Sequence, residues 1–488
     1  MESVSKIFHL ERAMKMSSQI EASKSYLKVI MVISTFGGLL FGYDTGVVNG
    51  ALPYMAEPDQ LNLTPLHEGM VASSLLLGAA FGSVIGGKVS DIQGRRKNIF
   101  MLSILFFVAT LGCSLAPNFE VMLVSRFALG LAVGGASVTV PAYLAEISPS
   151  EKRGRMVTQN ELMLVTGQFL AFVINAIIAV AFAGNSHIWR YMLAVAAIPA
   201  IVLFFGMMRV PESPRWLVSK GKISEALSVL KKIRGTEQYA ISELNDIQDT
   251  ISAEKNIKQV SFKDIIKTPW IRRVVLIGMG VATFTQLTGV NSIMYYGTQI
   301  LSQSGFSMQA ALIANTLNGL TSVLGVSFGI YLLTKIKRRT MLITGLCGTT
   351  TALFLITVSS AVLGNSPYFP FIILSLTVMF LAFMQSCIGP TLWLIIAEII
   401  PLRIRGFGMG ISILFHWITN FVVGLTFPVL LSTLGLQYTF LIFVVIGFVS
   451  ITFAKLCVPE TKGKTLEQIE QSLRNYNRKE ISSVDKLN

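Results

Sequence analysis

The sequence predicts an all-α membrane protein: twelve transmembrane helices in two pseudo-symmetric six-helix bundles, joined by a cytoplasmic helical linker. Three observations predict it: apolar residues fall in even stripes, Lys and Arg crowd to one side of those stripes, and short motifs recur about half a chain apart. With 52% hydrophobic and 14% charged residues among 488, the chain is too apolar for a soluble globule.

Each stripe has to cover a hydrocarbon core of about 30 Å, which takes roughly 20 residues at about 1.5 Å apiece. Twelve stripes qualify, at 28–53, 69–89, 98–116, 121–146, 155–183, 188–210, 271–301, 308–333, 340–361, 368–399, 407–432 and 437–457. An even number of crossings returns both termini to one side. Thirty-eight of the 40 Lys and Arg lie in the termini, at every second connection or within three residues of the stripe ends that meet them, which makes that side the cytoplasm. The formal net charge of +14 therefore reports topology and attraction to anionic lipid, not nucleic-acid binding.

The same pattern divides the chain into a cytoplasmic N-terminal segment (1–27), a first bundle (28–210), a linker (211–270), a second bundle (271–458) and a cytoplasmic tail (459–488). The first segment is polar and mixed in charge, unlike a cleavable signal. In the linker, Ile223, Leu227, Leu230 and Ile233 have the spacing of an amphipathic helix, expected over Ser224–Arg234 on the cytoplasmic face.

The halves echo each other. Pro211-Glu212 recurs as Pro459-Glu460, 248 residues on, and Ala145-Glu146 with Arg153-Gly154 recurs as Ala397-Glu398 with Arg405-Gly406, 252 residues on. A shift of 247 carries Asp44 onto Asn291. Two repeats about an axis normal to the membrane, with a midplane site between them, is a transporter architecture. Glycines spaced by four, Gly78, Gly82 and Gly86 in the second stripe and Gly130 and Gly134 in the fourth, allow close helix approach inside one bundle.

Two basic residues break the charge rule: Arg190 at the mouth of a stripe and Arg126 within one. A charge near the bilayer centre costs about 2.5–3.5 kcal/mol on insertion scales, so Arg126 needs a partner or a watery cavity. Asp44, in the first stripe, is the candidate partner. The pair is either a static strut or a coupling device, because a change in the separation of two such groups changes the proton affinity of the carboxylate.

Other chemistry finds little support. Cys113, Cys347, Cys387 and Cys457 lie in or beside apolar stripes without metal-ligand spacing, and no cofactor or metal is expected. Gly82-x-x-x-x-Gly87-Lys88 resembles a phosphate loop, but Val89 stands where a magnesium-binding hydroxyl belongs, and no strand precedes it. No hydrolase or metalloprotease pattern is present, so an enzyme is not expected. Asn62-Leu63-Thr64 is an isolated glycosylation sequon.

Four motifs together carry a resemblance: Gly37-Gly38-Leu39-Leu40-Phe41-Gly42-Tyr43-Asp44, Asp91-x-x-Gly94-Arg95-Arg96, Pro211-Glu212-Ser213-Pro214-Arg215-Trp216-Leu217 and Pro459-Glu460-Thr461-Lys462-Gly463. Over about residues 28–470 the chain resembles the sugar porter branch of the major facilitator superfamily. The runs Gly134–Glu146 and Val157-Thr158-Gln159-Asn160-Glu161-Leu162 look most like bacterial myo-inositol/proton symporters.

The resemblance implies the major facilitator fold, a plasma-membrane location, and proton-coupled import of a cyclic polyol or monosaccharide, myo-inositol first. The partners implied are that substrate, a proton and the lipid bilayer, around a monomer. A facilitative hexose or pentose uniporter, or a nontransporting sugar receptor, are the alternatives. Asp44, with Arg126, is implied in proton coupling, since proton-driven relatives carry Asp in that motif.

Gln168, Gln286, Asn291, Tyr295, Trp393 and Trp417 match sugar-contacting positions; the amides are otherwise interhelical glue. Two departures stand out: Thr285-Gln286 replaces a Gln-Gln pair, and His416 precedes Trp417 where a Gln is expected. His416 is a substrate contact or a histidine satisfied by its neighbours. Tyr295 and Tyr296 are either an outer gate or interface aromatics. At the inner face Asp91, Arg95, Arg96, Glu146, Arg153, Glu212, Glu398 and Arg405 are expected to form gating ion pairs, asymmetric because Lys335-Ile336-Lys337-Arg338-Arg339 lacks the acidic residue and Gly of the Asp91 motif.

Overall fold

The computed structural model describes residues 2–149, 153–255, 268–401, 404–464, 468–471 and 473; side chains at 2–20, 24, 153–158 and 253–255 lie outside the description. The first half holds α1 (Glu2–Met55), α2 (Pro65–Gln93), α3 (Arg95–Ser114), α4 (Phe119–Ile147), α5 (Arg153–Ala181), and a sixth crossing made of α6 (Ile188–Val195) and α7 (Ala197–Arg209). Three shorter helices follow: α8 (Pro214–Ser219), α9 (Ile223–Arg234) and α10 (Glu237–Lys255). The second half comprises α11 (Pro269–Gln286), α12 (Val290–Gln303), α13 (Met308–Lys335), α14 (Arg338–Leu363), α15 (Phe369–Phe383), α16 (Gly389–Ile399) and α17 (Arg405–Cys457).

Local chemistry sets the ends. Thr64, Asn118 and Ser307 accept hydrogen bonds from the amides of His67, Val121 and Ala310, capping α2, α4 and α13. Gly94, at φ 103°, turns α2 into α3 without a longer loop. The seventh crossing breaks between α11 and α12 at Gly289, in the left-handed region at φ 85°. In the tenth, a π-helical turn at Met384–Ile388 joins α15 to α16 ahead of Pro390, which cannot donate to the preceding turn.

Among the described residues eleven stretches of helix, three of them made of two of these helices each, are long and apolar enough to cross a membrane. The last of them, α17, runs for 53 residues, about 80 Å of helix and more than twice a bilayer core. It is interrupted at Gly435 (φ 74°, ψ 177°), a conformation open essentially to glycine, so it supplies the last two crossings. Upstream, α1 continues the first crossing back to Glu2, so residues 2–27 run on from it without a break in the helix.

The helix read in the linker is α9, one residue longer at its start. It buries Ala226, Leu230 and Ile233, and it packs on α8, α10 and α1. Ser23 donates to the Lys232 carbonyl (2.8 Å), and Arg234 pairs with Glu243 while donating to the Ile147 carbonyl (3.1 Å). The apolar stripe of α9 is thus spent on protein packing, which ties the linker to the first half.

Glycines bring two helix pairs into backbone contact. On α1, Gly38, Gly42, Gly46 and Gly50 lie against Asn160, Leu164, Gln168 with Ala171, and Asn175 of α5. The stripes of α2 and α4 meet each other, Gly78 and Gly82 against the backbone at Phe127–Leu131, and Gly130 and Gly134 against Leu75 and Ala79. Between the halves, α2 packs on α17, α5 on α13, and α1 on α12.

All three inter-half seams lie away from the Lys/Arg-rich face. Gly69, near the start of α2, faces Leu425, and Gln309, near the start of α13, donates to Ala179 at the end of α5 (3.5 Å). Asn49 joins α1 to α12 and α13: it donates to the Met294 carbonyl (2.6 Å) and accepts from Thr298 (2.5 Å) and Asn315 (3.1 Å). Asn318 and Thr377 extend that buried chain. Among the described residues no other helix pair of the two halves packs comparably, which leaves the basic side of the interface the looser one.

Candidate functional site

Asp44 stands on α1 two residues past Gly42, on the side turned from α5 toward α4. Arg126 of α4 meets it head on, with Nη1 2.8 Å and 2.9 Å from the two carboxylate oxygens, and Nε donates to the Val71 carbonyl (3.2 Å). Both side chains are 2% exposed, so the charges are withdrawn from water and neutralise each other. The hydroxyls of Tyr43, Ser73 and Thr110 are buried without a hydrogen-bond partner among the described residues.

A second cluster belongs to the other half. The break at Gly289 brings Asn291, at the start of α12, back toward Gln286, at the end of α11; the Asn291 amide donates to Gln286 Oε1 (2.5 Å). Gln286 Nε2 is 3.0 Å from the nearer ring nitrogen of His416. Trp393 of α16 and Trp417 flank that imidazole at ring-centroid distances of 5.0 Å and 5.7 Å. Trp417 also lies 5.8 Å from Phe41, which precedes Asp44 by three residues on α1. Amides, one imidazole and indole faces provide the donors, acceptors and apolar planes that a hydroxylated ring requires.

Gln168 completes this picture from the first half. It is buried against α1, and its Oε1 has no hydrogen-bond partner among the described residues. Tyr295 is buried one turn after Asn291, while Tyr296 is held elsewhere: its hydroxyl donates to the Gly424 carbonyl (2.6 Å) and its ring stacks on Phe427 at 5.3 Å. Tyr296 therefore fixes α12 to α17 within the second half, and neither tyrosine faces lipid.

At the basic face the gating candidates gather within their own halves. Arg95 bridges Asp91 and Glu146 at 3.0 Å each, and Glu212 accepts from the backbone amides of Arg95 (2.9 Å) and Arg96 (3.1 Å) at the start of α3. Arg96 donates to the Met207 and Met208 carbonyls, and Ser213 donates to Glu146. The second half repeats the scheme with residues the sequence reading left out: Glu460 accepts from the amides of Arg338 (2.9 Å) and Arg339 (3.2 Å), and Arg338 lies 3.8 Å from Glu398. Arg338 thus takes the place of Arg95, without a counterpart to Asp91. Arg405 donates to the Ala397 carbonyl (3.4 Å), and the Arg153 side chain lies outside the described residues. These contacts brace each bundle, and each lies within its own half.

Arg190 is accounted for locally. It exchanges hydrogen bonds with Ser114 (2.9 Å and 2.8 Å) and lies over the Trp189 ring at 4.2 Å. The four cysteines are free, and no group of metal ligands occurs among the described residues.

Comparison with known proteins decides the family. The family described as sugar (and other) transporters matches residues 30–473. The chain belongs to this family. Its relatives include the major myo-inositol transporter IolT of Bacillus subtilis, 59% identical over 93% of this chain and 95% of that one, and the galactose-proton symporter of Escherichia coli, 34% identical over 93% and 96%.

Among solved structures, the E. coli xylose transporter XylE in a partially occluded inward-open conformation matches this sugar transporter with a TM-score of 0.79 at 28% identity, covering 90% of this chain and all of that one. XylE bound to 6-bromo-6-deoxy-D-glucose matches with a TM-score of 0.73 at 28% identity, over 92% and 99%. The transporter is therefore an integral protein of the plasma membrane with the major facilitator fold.

Proposed function

We propose that this transporter carries a cyclic polyol, myo-inositol first, into the cell together with a proton, by alternating access around a site between its two halves. In this reading the Lys/Arg-rich face and both termini are cytoplasmic, and the gap between the halves is the inward-facing state. The substrate reading draws on 59% identity to a myo-inositol transporter. Gln286, Asn291, His416, Trp393 and Trp417 bind the ring from the second half, with Gln168 and Tyr295 nearby.

Proton coupling rests on one observation, the isolated Asp44–Arg126 pair three residues from Phe41, which abuts Trp417. A substrate pressing on Trp417 and Phe41 is mechanically linked to the helix that carries Asp44. Protonation of Asp44 loosens its bond to Arg126 and allows α1 and α4 to shift; deprotonation restores it. Each charge translocated down a potential of about 100 mV contributes about 2.3 kcal/mol to accumulation.

The test is uptake of labelled myo-inositol into proteoliposomes with an imposed pH gradient. Wild-type protein should concentrate it and move protons with it, while Asp44→Asn should equilibrate it without accumulation. Concentrative uptake by Asp44→Asn, or entry without proton movement, would overturn the coupling.

A further inference from the structure

The lipid-facing stripes of the two halves end in different chemistry. On α13 the exposed line Leu324, Phe328 and Tyr331 runs on, one turn later, to Lys335, which is exposed as well. On α17 Val445, Phe448, Val449 and Leu456 face outward, and Lys455 stands two turns beyond Phe448 on the same side. Both lysines therefore lie where a surface in contact with acyl chains reaches the headgroup layer at the basic face.

The two helix ends belong to one site. Lys462, just past α17, donates to the Thr334 carbonyl at the end of α13 (2.8 Å), and Arg339, at the start of α14, donates to the Lys455 carbonyl. Segments 334–340 and 455–464 bring together seven Lys and Arg with one carboxylate, Glu460. That carboxylate is spent on the backbone: one oxygen accepts from the amides of Arg338 (2.9 Å), Thr461 (3.1 Å) and Lys462 (3.0 Å), the other from Arg339 (3.2 Å). Arg338 leans on an acid from elsewhere, Glu398, at 3.8 Å. Among the described residues no acidic side chain pairs with Lys335, Lys337, Arg339 or Lys455, and Arg339 Nε is buried without a hydrogen-bond partner.

The first half differs at the matching place. Lys88 likewise ends the exposed line Phe81, Val84 and Ile85 of α2, but Asp91 follows within one turn, exposed and four residues ahead of Arg95. Thr334 holds that position ahead of Arg338. An anion approaching the first half meets a carboxylate; one approaching the second meets lysines and a threonine.

We propose that the ends of α13, α14 and α17 hold the headgroup of an anionic phospholipid, a phosphodiester without an amine such as phosphatidylglycerol, in the leaflet that meets the basic face. Lys335 and Lys455 bind the phosphate, the stripes that precede them pack on the acyl chains, and Arg339 ties the two ends together. A lipid is favoured over a soluble phosphate because both lysines are reached along an apolar surface. A zwitterionic headgroup carries its own ammonium to a site already in excess of them and is disfavoured.

Native mass spectrometry of the full-length protein, offered equal amounts of phosphatidylglycerol and phosphatidylcholine with the same acyl chains, reads the preference directly. Each basic residue at such a surface is worth about fivefold in binding, so wild type should retain phosphatidylglycerol, and Lys335→Gln/Lys455→Gln should lower its ratio to phosphatidylcholine by about tenfold or more. Lys88→Gln, in the first half, should leave that ratio within about twofold of wild type. If the double variant does not fold, the single variants carry the same test, each with a loss of about fivefold. Inorganic phosphate in excess should leave the bound lipid in place. An unchanged ratio on removal of Lys335 and Lys455, or an equal fall in Lys88→Gln, would overturn the assignment. Displacement of the lipid by phosphate would overturn it too, since that marks a site for a soluble anion.

Discussion

Replacing Asp44 by Ala leaves Arg126 buried with only the Val71 carbonyl to face, and the loss can be sized. The guanidinium is 2% exposed and gives up two contacts of 2.8 Å and 2.9 Å to one carboxylate. Breaking a buried pair by removing one partner costs about 3–5 kcal/mol, most of it the penalty of the charge left behind. The two single variants should not be equal, because a carboxylate left alone is able to take up a proton, while a guanidinium does not release one. Asp44→Ala is therefore expected at the upper end of that range and Arg126→Leu below it. The double variant should recover most of the lost stability, since no charge remains to be buried. The assay is a double-mutant cycle read from unfolding of detergent-purified protein, with proteoliposome uptake on the same samples. Stability should return in the double variant and accumulation should not. If the double variant is as unstable as the sum of the two single losses, the residues do not act as a pair, and the argument for coupling through their separation fails.

Further tests follow from the packing. A methyl group on Gly42 would fall within the Leu164 carbonyl, so Gly42→Ala should sharply reduce the yield of folded protein in membranes, while Gly410→Ala, with open space around it, should be silent. Gly435→Ala forces a side chain into a backbone region that disfavours it and should cost about 1–3 kcal/mol of thermal stability without changing substrate preference. Glu212→Ala uncaps α3 and releases Arg95 and Arg96; a loss of about 1–2 kcal/mol is expected, matched in the second half by Glu460→Ala. Asn49→Ala removes the hub that joins α1 to α12 and α13, and a thiol placed at Ser73 should then react faster with reagent added on the side opposite the basic face.

Most of the architecture was legible because lipid imposes a simple rule: apolar stripes long enough to cross, basic residues held to one side. The expected span 69–89 sits inside α2, and 407–432 with 437–457 share α17 only because Gly435 turns the chain without a loop. The partnership of Asp44 with Arg126 was readable from cost alone, since two charges in apolar stripes demand each other. Partners without such a cost were not. Asn49 is a single polar residue in an apolar helix, and nothing in its neighbours along the chain points to Thr298 or Asn315.

The basic face shows a different limit. Motif spacing told which residues gather there but not on whom they act, and the ion pairs expected to close the opening lie inside each bundle instead. Lys335–Arg339 reads as a departure from the Asp91 motif, yet Arg338 reaches Glu398 and its amide meets Glu460, so geometry is kept where the letters change. Gly38 and Gly42 read as part of a family motif, but with Gly46 and Gly50 their period of four is also a packing surface.

That surface decides which parts of the molecule can move apart. Four successive turns of α1 rest closely on α5, on its backbone at Leu164 and Gln168 and on the short side chains of Asn160, Ala171 and Asn175, with no bulky group between to slide or repack. The two helices form a single stiff beam. Asp44 and Phe41 on one member and Gln168 on the other keep a fixed spacing, so on the proposed function the coupling carboxylate and the near wall of the site travel together. Whatever separates carboxylate from guanidinium has to come from the α4 side, by tilting Arg126 away across the α2 glycines.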